Sequence, residues 1–233
     1  MITLSQAAKL CQLSYVGNVA DWDSWIDTGN VAAGVKIIEG EKVIAFRGSK
    51  VLEDFIHDIG GVDPVYVDNI GTVGAGFYAG VEPFFELLDL QAGESITLTG
   101  HSLGTSHAAY VARLAILNGV KVSYLALFAP PRAGYVDFYR GLEAVGKIDA
   151  LHNEFDPVPD FPLTLPYMPF VPFRNIQTVR VSPDTMLDRL DPIAYHSIDL
   201  YARACDGLST PHRENPLSLG MGRFRQNNYT ANV

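Results

Sequence analysis

The pentapeptide Gly100-His101-Ser102-Leu103-Gly104 sets a serine at the centre of a Gly-x-Ser-x-Gly pattern. That spacing suits a nucleophile held at a sharp strand-to-helix turn with its hydroxyl exposed. The glycines have no Cβ to obstruct neighbouring backbone. A helix starting behind Ser102 supplies free N–H groups and a positive dipole end, both of which favour developing negative charge. A serine hydroxyl is a weak nucleophile at neutral pH, so it needs a base, and the base needs an orienting acid. In a strand–turn–helix setting the chain order is serine, acid, histidine. Asp156, in Asn153-Glu154-Phe155-Asp156-Pro157, is well placed as the acid, with Asp160 as runner-up. Two histidines follow it. His196 precedes an apolar helical run (Ile198, Leu200, Tyr201), whereas His212 sits in a polar tail between Pro211 and Arg213. The other four have plainer readings: His101 packs beneath the turn, His107 lies one turn into the following helix, His57 is on a short helix and His152 ends a strand. An oxyanion needs two further donors. The backbone N–H of Leu103 is one, and that of Ser49, in Phe46-Arg47-Gly48-Ser49, is the other; Ser49 also suits a helix N-cap.

The elements that must position these groups follow from hydrophobic period and turn residues. Residues 95–99 form a β-compatible run, and small residues (Ala108, Ala109, Ala112, Ala115) continue the turn as a helix over 103–117 that Asn118-Gly119 ends. Upstream, the spacing predicts a helix over 3–16 with Thr3 as N-cap. Residues 21–30 read as a surface segment anchored by Trp22 and Trp25. A hairpin pairs 33–38 with 42–46 around Glu39-Gly40-Glu41. Residues 62–73 read as an irregular link, and 75–90 as a helix bent at Pro83. Downstream come an apolar strand (120–128), a helix (134–143), strands (147–152 and 176–181), a helix (192–204) and a polar extension over 206–233. Strands alternating with helices predict an α/β fold: a mixed, mostly parallel sheet covered on both faces. The expectation is one domain over 1–233.

At 233 residues with 48% apolar and 18% charged residues, the chain is long and apolar enough for a well-buried core. A formal charge of −9 argues against nucleic acid as a partner. No apolar run is long enough to span a bilayer. The N-terminus lacks a basic segment followed by an apolar one, so no secretory signal is expected. Cys11 and Cys205 are too few to hold a metal, and no cofactor is expected; two buried free thiols are favoured over a disulfide.

Several stretches together resemble the class 3, fungal-type lipases of the α/β-hydrolase superfamily. They are Phe46-Arg47-Gly48-Ser49; Asp54-Phe55-Ile56-His57-Asp58-Ile59; Gly76-Phe77; the Thr99 to Gly104 turn; and Phe128 to Gly134 with Pro131-Arg132 inside it. Asn153 to Pro159 is similar to the family's acid loop, and Tyr195-His196-Ser197 to its base. The resemblance spans residues 33–201. It implies Ser102, Asp156 and His196 as a catalytic triad and Ser49 with Leu103 as the oxyanion hole. The pattern departs at Gly74, where the family usually has His, at Ala129-Pro130 and at Thr105-Ser106. The disulfide pattern of secreted members is also missing.

The implied activity is hydrolysis of acylglycerol esters through an acyl-enzyme, without cofactor, on lipid or ester substrates at a lipid–water interface. A phospholipase A1 or an aromatic-acid esterase would use the same groups, and an inert binding module would need none of them. Residues 50–59 read as an amphipathic helix, with Val51, Leu52, Phe55, Ile56 and Ile59 on one face and Glu53, Asp54, His57 and Asp58 on the other. Its position after Ser49, and the family's pattern, make it the candidate lid. The proline-rich apolar loop 161–173 is either a buried loop or a wall of the acyl cleft, with Leu165 and Phe170 as candidate acyl-binding residues.

Overall fold

Along the strand Glu41–Phe46, Val43 and Ala45 join one apolar cluster and Ile44 and Phe46 another. A strand that is apolar on both sides belongs inside a sheet covered on both faces. The computed structural model, which describes residues 1–16, 19–49, 63–162 and 169–209, contains such a sheet. Its strands are β1 (Ser24–Asp27), β2 (Ala32–Ile38), β3 (Glu41–Phe46), β6 (Ser95–His101), β7 (Lys121–Phe128), β8 (Ile148–Asn153) and β9 (Gln177–Val179), side by side in that order. The β1–β2 and β2–β3 pairs are antiparallel; every later pair is parallel. This is the mixed, mostly parallel sheet expected from the sequence.

Helix α1 (Leu4–Val16) covers one face. Thr3 caps it reciprocally: Gln6 N donates to Thr3 Oγ1, and Thr3 N donates to Gln6 Oε1. Cys11 is buried against this face, its Sγ 3.2 Å from Thr99 Oγ1, and Cys205 is also buried; the two do not form a disulfide. The opposite face packs on the helix Leu103–Leu117, whose Ala108, Ala109, Ala112 and Ala115 are buried and allow close approach to the sheet. No helix among the described residues is long and apolar enough to cross a membrane.

Four local expectations are corrected. Residues 24–27 form the edge strand β1, because Gly34 on β2 leaves room for the Trp22 ring; a Cβ there would lie 2.0 Å from it. Residues 64–74 form a hairpin, β4 (Pro64–Val67) and β5 (Gly71–Gly74), turned by Asn69 (φ 63°) and Gly71 (φ 112°). The helix predicted over 75–90 is two, α2 (Ala75–Tyr78) and α3 (Val81–Leu87). It breaks at Gly80 (φ 79°), and Pro83 sits in the first turn of α3, where a missing N–H does no harm. The helix predicted over 192–204 is a 3-10 turn, Pro192–His196, followed after Ser197 (ψ 130°) by a helix, Ile198–Ser209.

Candidate active site

Ser102 stands between β6 and the helix Leu103–Leu117 with φ 58° and ψ −132°. For a residue with a side chain this backbone costs about 1–3 kcal/mol, sustained only where the surroundings enforce it. They do so here from both sides. Ser102 N donates to Phe128 O at 2.9 Å, while its carbonyl accepts from Thr105 N (2.9 Å) and Thr105 Oγ1 (2.7 Å). The turn is crowded by backbone: a Cβ on Gly104 would lie 2.4 Å from Phe46 O. The loop after β3 approaches equally closely. A Cβ on Gly48 would meet Tyr15 Oη at 2.2 Å, His101 O at 2.6 Å and Ser102 Cβ at 3.0 Å. Ser49, the next residue, and Leu103 are both partly exposed beside the buried Ser102.

Strand β8 ends at Asn153, and the chain then turns through the buried Asp156. His196 arrives from the other direction on the 3-10 turn Pro192–His196, whose start is capped by Asp191 accepting from Ile193 N at 2.9 Å. His196 Nδ1 lies 3.0 Å and 2.9 Å from the two Asp156 carboxylate oxygens. Tyr201, fully buried on the following helix, donates its hydroxyl to Asp156 Oδ2 at 2.6 Å. Val158 N donates to Oδ1 at 2.9 Å. Asn153 ties the surroundings together: its N–H donates to Tyr201 Oη (2.9 Å), and its amide to Val181 O (2.9 Å) and Tyr195 O (3.2 Å). Burial pushes the Asp156 carboxyl up. Facing His196, with hydrogen bonds from His196, Tyr201 and Val158, outweighs that and holds it below the usual carboxylate range.

His101 braces His196 from behind. Its ring lies 4.6 Å from that of His196, and its Nε2 is 2.8 Å from His196 O. Burial first, then the neighbouring His196, pushes its pKa down to about 3, so the ring is neutral. A carbonyl only accepts, so Nε2 carries the proton; Nδ1 then accepts from Tyr15 Oη at 2.8 Å. His107 is likewise pushed down by burial, to about 4.

Ser102 Oγ and His196 Nε2 are both buried and lack a hydrogen-bond partner among the described residues. A buried polar atom left unpaired costs about 1–3 kcal/mol. Here the two unpaired atoms are the hydroxyl of a strained turn and the free nitrogen of a carboxylate-oriented imidazole. Such a set is suited to acyl transfer, with a donor, an acceptor and a fixed tautomer.

The structure brings Asp156, His196 and the Ser102 turn into one buried cluster. Asp160 lies outside it, paired with Arg132 at 3.5 Å. Phe170 is fully buried in the larger core cluster, its ring edge-on to Tyr135 at 5.1 Å. Val51, Leu52, Phe55, Ile56 and Ile59, together with Leu165 and His212, lie outside the described residues. Sequence reasoning missed Tyr15 and Tyr201 as polar partners. Both occupy apolar positions of helical patterns, and their hydroxyls left no signal there.

A family model described as Lipase (class 3) matches residues 43–165, more than half of the chain, including Ser49, Ser102 and Asp156. No curated protein sequence matches the chain. Among solved structures, the fold is similar to a triacylglyceride lipase from Rhizomucor miehei, at 20% identity and a TM-score of 0.61, covering 87% of this chain and 95% of that one. A triacylglycerol lipase from Penicillium expansum gives 19% identity and a TM-score of 0.59, covering 76% and 78% of the two chains. A mono- and diacylglycerol lipase from Aspergillus oryzae gives 19% and 0.58, covering 78% of each. These likenesses agree with the α/β-hydrolase architecture of the sheet, and the matched span shows that the chain belongs to the class 3 lipase family, a family of carboxylic ester hydrolases.

Proposed function

We propose that this protein hydrolyses acylglycerol esters through an acyl-enzyme, with Ser102 as nucleophile, His196 as base and Asp156 as the acid that orients it. The observation that carries the reading is the pairing of His196 Nδ1 with Asp156 at 2.9 Å while His196 Nε2 and Ser102 Oγ have no partner among the described residues. Ser102 Oγ bonds to the ester carbonyl carbon as its proton passes to Nε2. The carbonyl oxygen becomes an oxyanion, stabilised by the N–H groups of Ser49 and Leu103. The intermediate collapses, the C–O bond to the alcohol breaks, and Nε2 returns the proton to the leaving oxygen. Water then repeats the sequence on the acyl-Ser102 ester, releasing the fatty acid and restoring the serine hydroxyl. Asp156 keeps Nδ1 protonated and stabilises the imidazolium that forms.

The reading extends to the whole chain as one domain over 1–233, with residues 50–59 as a lid and Leu165 and Phe170 beside the acyl chain. The direct test is stoichiometric labelling by a fluorophosphonate, lost in Ser102→Ala and in His196→Ala and retained in His212→Ala. A panel of triglycerides, phosphatidylcholine and short nitrophenyl esters then assigns the substrate. Labelling that survives Ser102→Ala overturns the assignment, and phosphatidylcholine turned over faster than triglyceride replaces the acylglycerol reading by a phospholipase.

A further inference from the structure

Met186, Leu187 and Leu190 are 84%, 81% and 80% exposed, the three most exposed large apolar side chains among the described residues. Single exposed apolar residues are ordinary, but three within five positions form a patch. Their turn does not depend on burying them. Arg189 N donates to Thr185 O (3.2 Å), Leu190 N to Leu187 O (3.0 Å), Asp188 N to Thr185 Oγ1 (3.1 Å) and Arg189 Nε to Pro183 O (2.9 Å). The backbone thus holds the apolar side chains out into solvent.

This tip is joined to the candidate site. Asp191 ends it and caps the 3-10 turn that carries His196, and Tyr195 Oη donates to Arg189 O at 3.4 Å. Phe155, 53% exposed and next to Asp156, packs its ring 5.2 Å from that of Tyr195. Apolar surface therefore stands on both chain segments that bring in Asp156 and His196.

Two observations choose the occupant. A stable protein partner needs about 800 Å² and 20–30 residues a side, far more than one convex turn of three apolar side chains offers. Insertion into lipid needs no complementary shape, only apolar area. The charges flanking the tip are mainly acidic: Asp184, Asp188 and Asp191 against Arg189, with Asp184 paired to Arg203 at 3.0 Å, in a chain of net charge −9. Such a surface is repelled by anionic lipid.

We infer that Met186, Leu187 and Leu190 form a docking tip that inserts into an uncharged or zwitterionic lipid surface and holds the Asp156–His196 side of the molecule against it. The inference rests on the ester-hydrolase reading for its purpose, not for its measurement. The test is sedimentation of the full chain with phosphatidylcholine vesicles and with vesicles containing phosphatidylglycerol. It is done in a Ser102→Ala background so that no lipid is consumed, with and without Met186→Ser, Leu187→Ser and Leu190→Ser together. The triple substitution should lower partitioning onto phosphatidylcholine at least tenfold, and phosphatidylglycerol should weaken binding of the parent at low salt. With Ser102 intact, the triple variant should keep its kcat/KM on dissolved nitrophenyl acetate within twofold. Equal partitioning of parent and triple variant, or tighter binding to the anionic vesicles, overturns the proposal. So does a substitution effect confined to self-association in sedimentation velocity, which would assign the tip to a second copy. Failure to hydrolyse the dissolved ester would instead strike the catalytic reading and leave the partitioning result standing.

Discussion

The hydroxyl of Tyr201 donates to Asp156 Oδ2 at 2.6 Å, in the same buried cluster where that carboxylate meets His196 Nδ1. The helix that follows His196 thus reaches back to hold Asp156. A hydrogen bond to a charged group contributes about 1.5–3 kcal/mol. Tyr201→Phe should lower kcat about tenfold with little change in KM. Because the lost bond favoured the carboxylate, the Asp156 pKa should rise, and the acid limb of the kcat profile should move to higher pH. A pH-rate series checks this; a purely structural role would lower stability without moving that limb.

Ser102→Ala should abolish turnover of any ester yet leave urea-unfolding stability unchanged or slightly raised. The substitution deletes a buried hydroxyl that has no partner among the described residues, so no hydrogen bond is lost with it. Equilibrium unfolding beside an esterase assay measures both.

Gly48→Ala should be severe despite adding one carbon. The new Cβ would meet Tyr15 Oη at 2.2 Å and the His101 carbonyl at 2.6 Å, and backbone cannot give way as a side-chain tip can. Displacing this loop moves Ser49, the proposed oxyanion donor, so kcat should fall about 100-fold or more, the range seen when one such donor is lost. Overpacking should also cost about 1–3 kcal/mol of stability. Kinetics and thermal unfolding of the purified variant test both.

The buried histidines should make the fold acid-sensitive. Burial pushes His107 down to about 4, below the value near 6.5 of an exposed histidine. The unfolded chain therefore binds a proton that the folded one refuses. This contribution is complete above about pH 6.5 and is lost as pH falls toward 4, with a slope of about 1.4 kcal/mol per pH unit. His101, pushed to about 3 first by its own burial, adds a second such slope over a similar window. Urea unfolding from pH 7 to 4 should show the decline, and His107→Leu should remove one proton's share of it.

Much of the candidate site was legible because its parts are local. The Ser102 turn is written in a few residues: a β-compatible run, two glycines where backbone crosses, and small residues starting a helix. The order of Asp156 and His196 along the chain followed from the same setting. The covered sheet was legible because strands such as Glu41–Phe46 are apolar on both sides.

Tertiary structure decided what depends on distant neighbours. Residues 24–27 became a strand because Gly34, on another strand, makes room for Trp22. The helix over 75–90 broke at Gly80 rather than bending at Pro83, since a left-handed residue ends a helix whereas a first-turn proline fits one. Tyr15 and Tyr201 occupy apolar helical positions, and their aromatic rings satisfy that pattern whatever the hydroxyls do. Their polar partners, His101 and Asp156, lie 86 and 45 residues away, so only the packing of both helices on one face of the sheet turned two helix tyrosines into donors to this cluster.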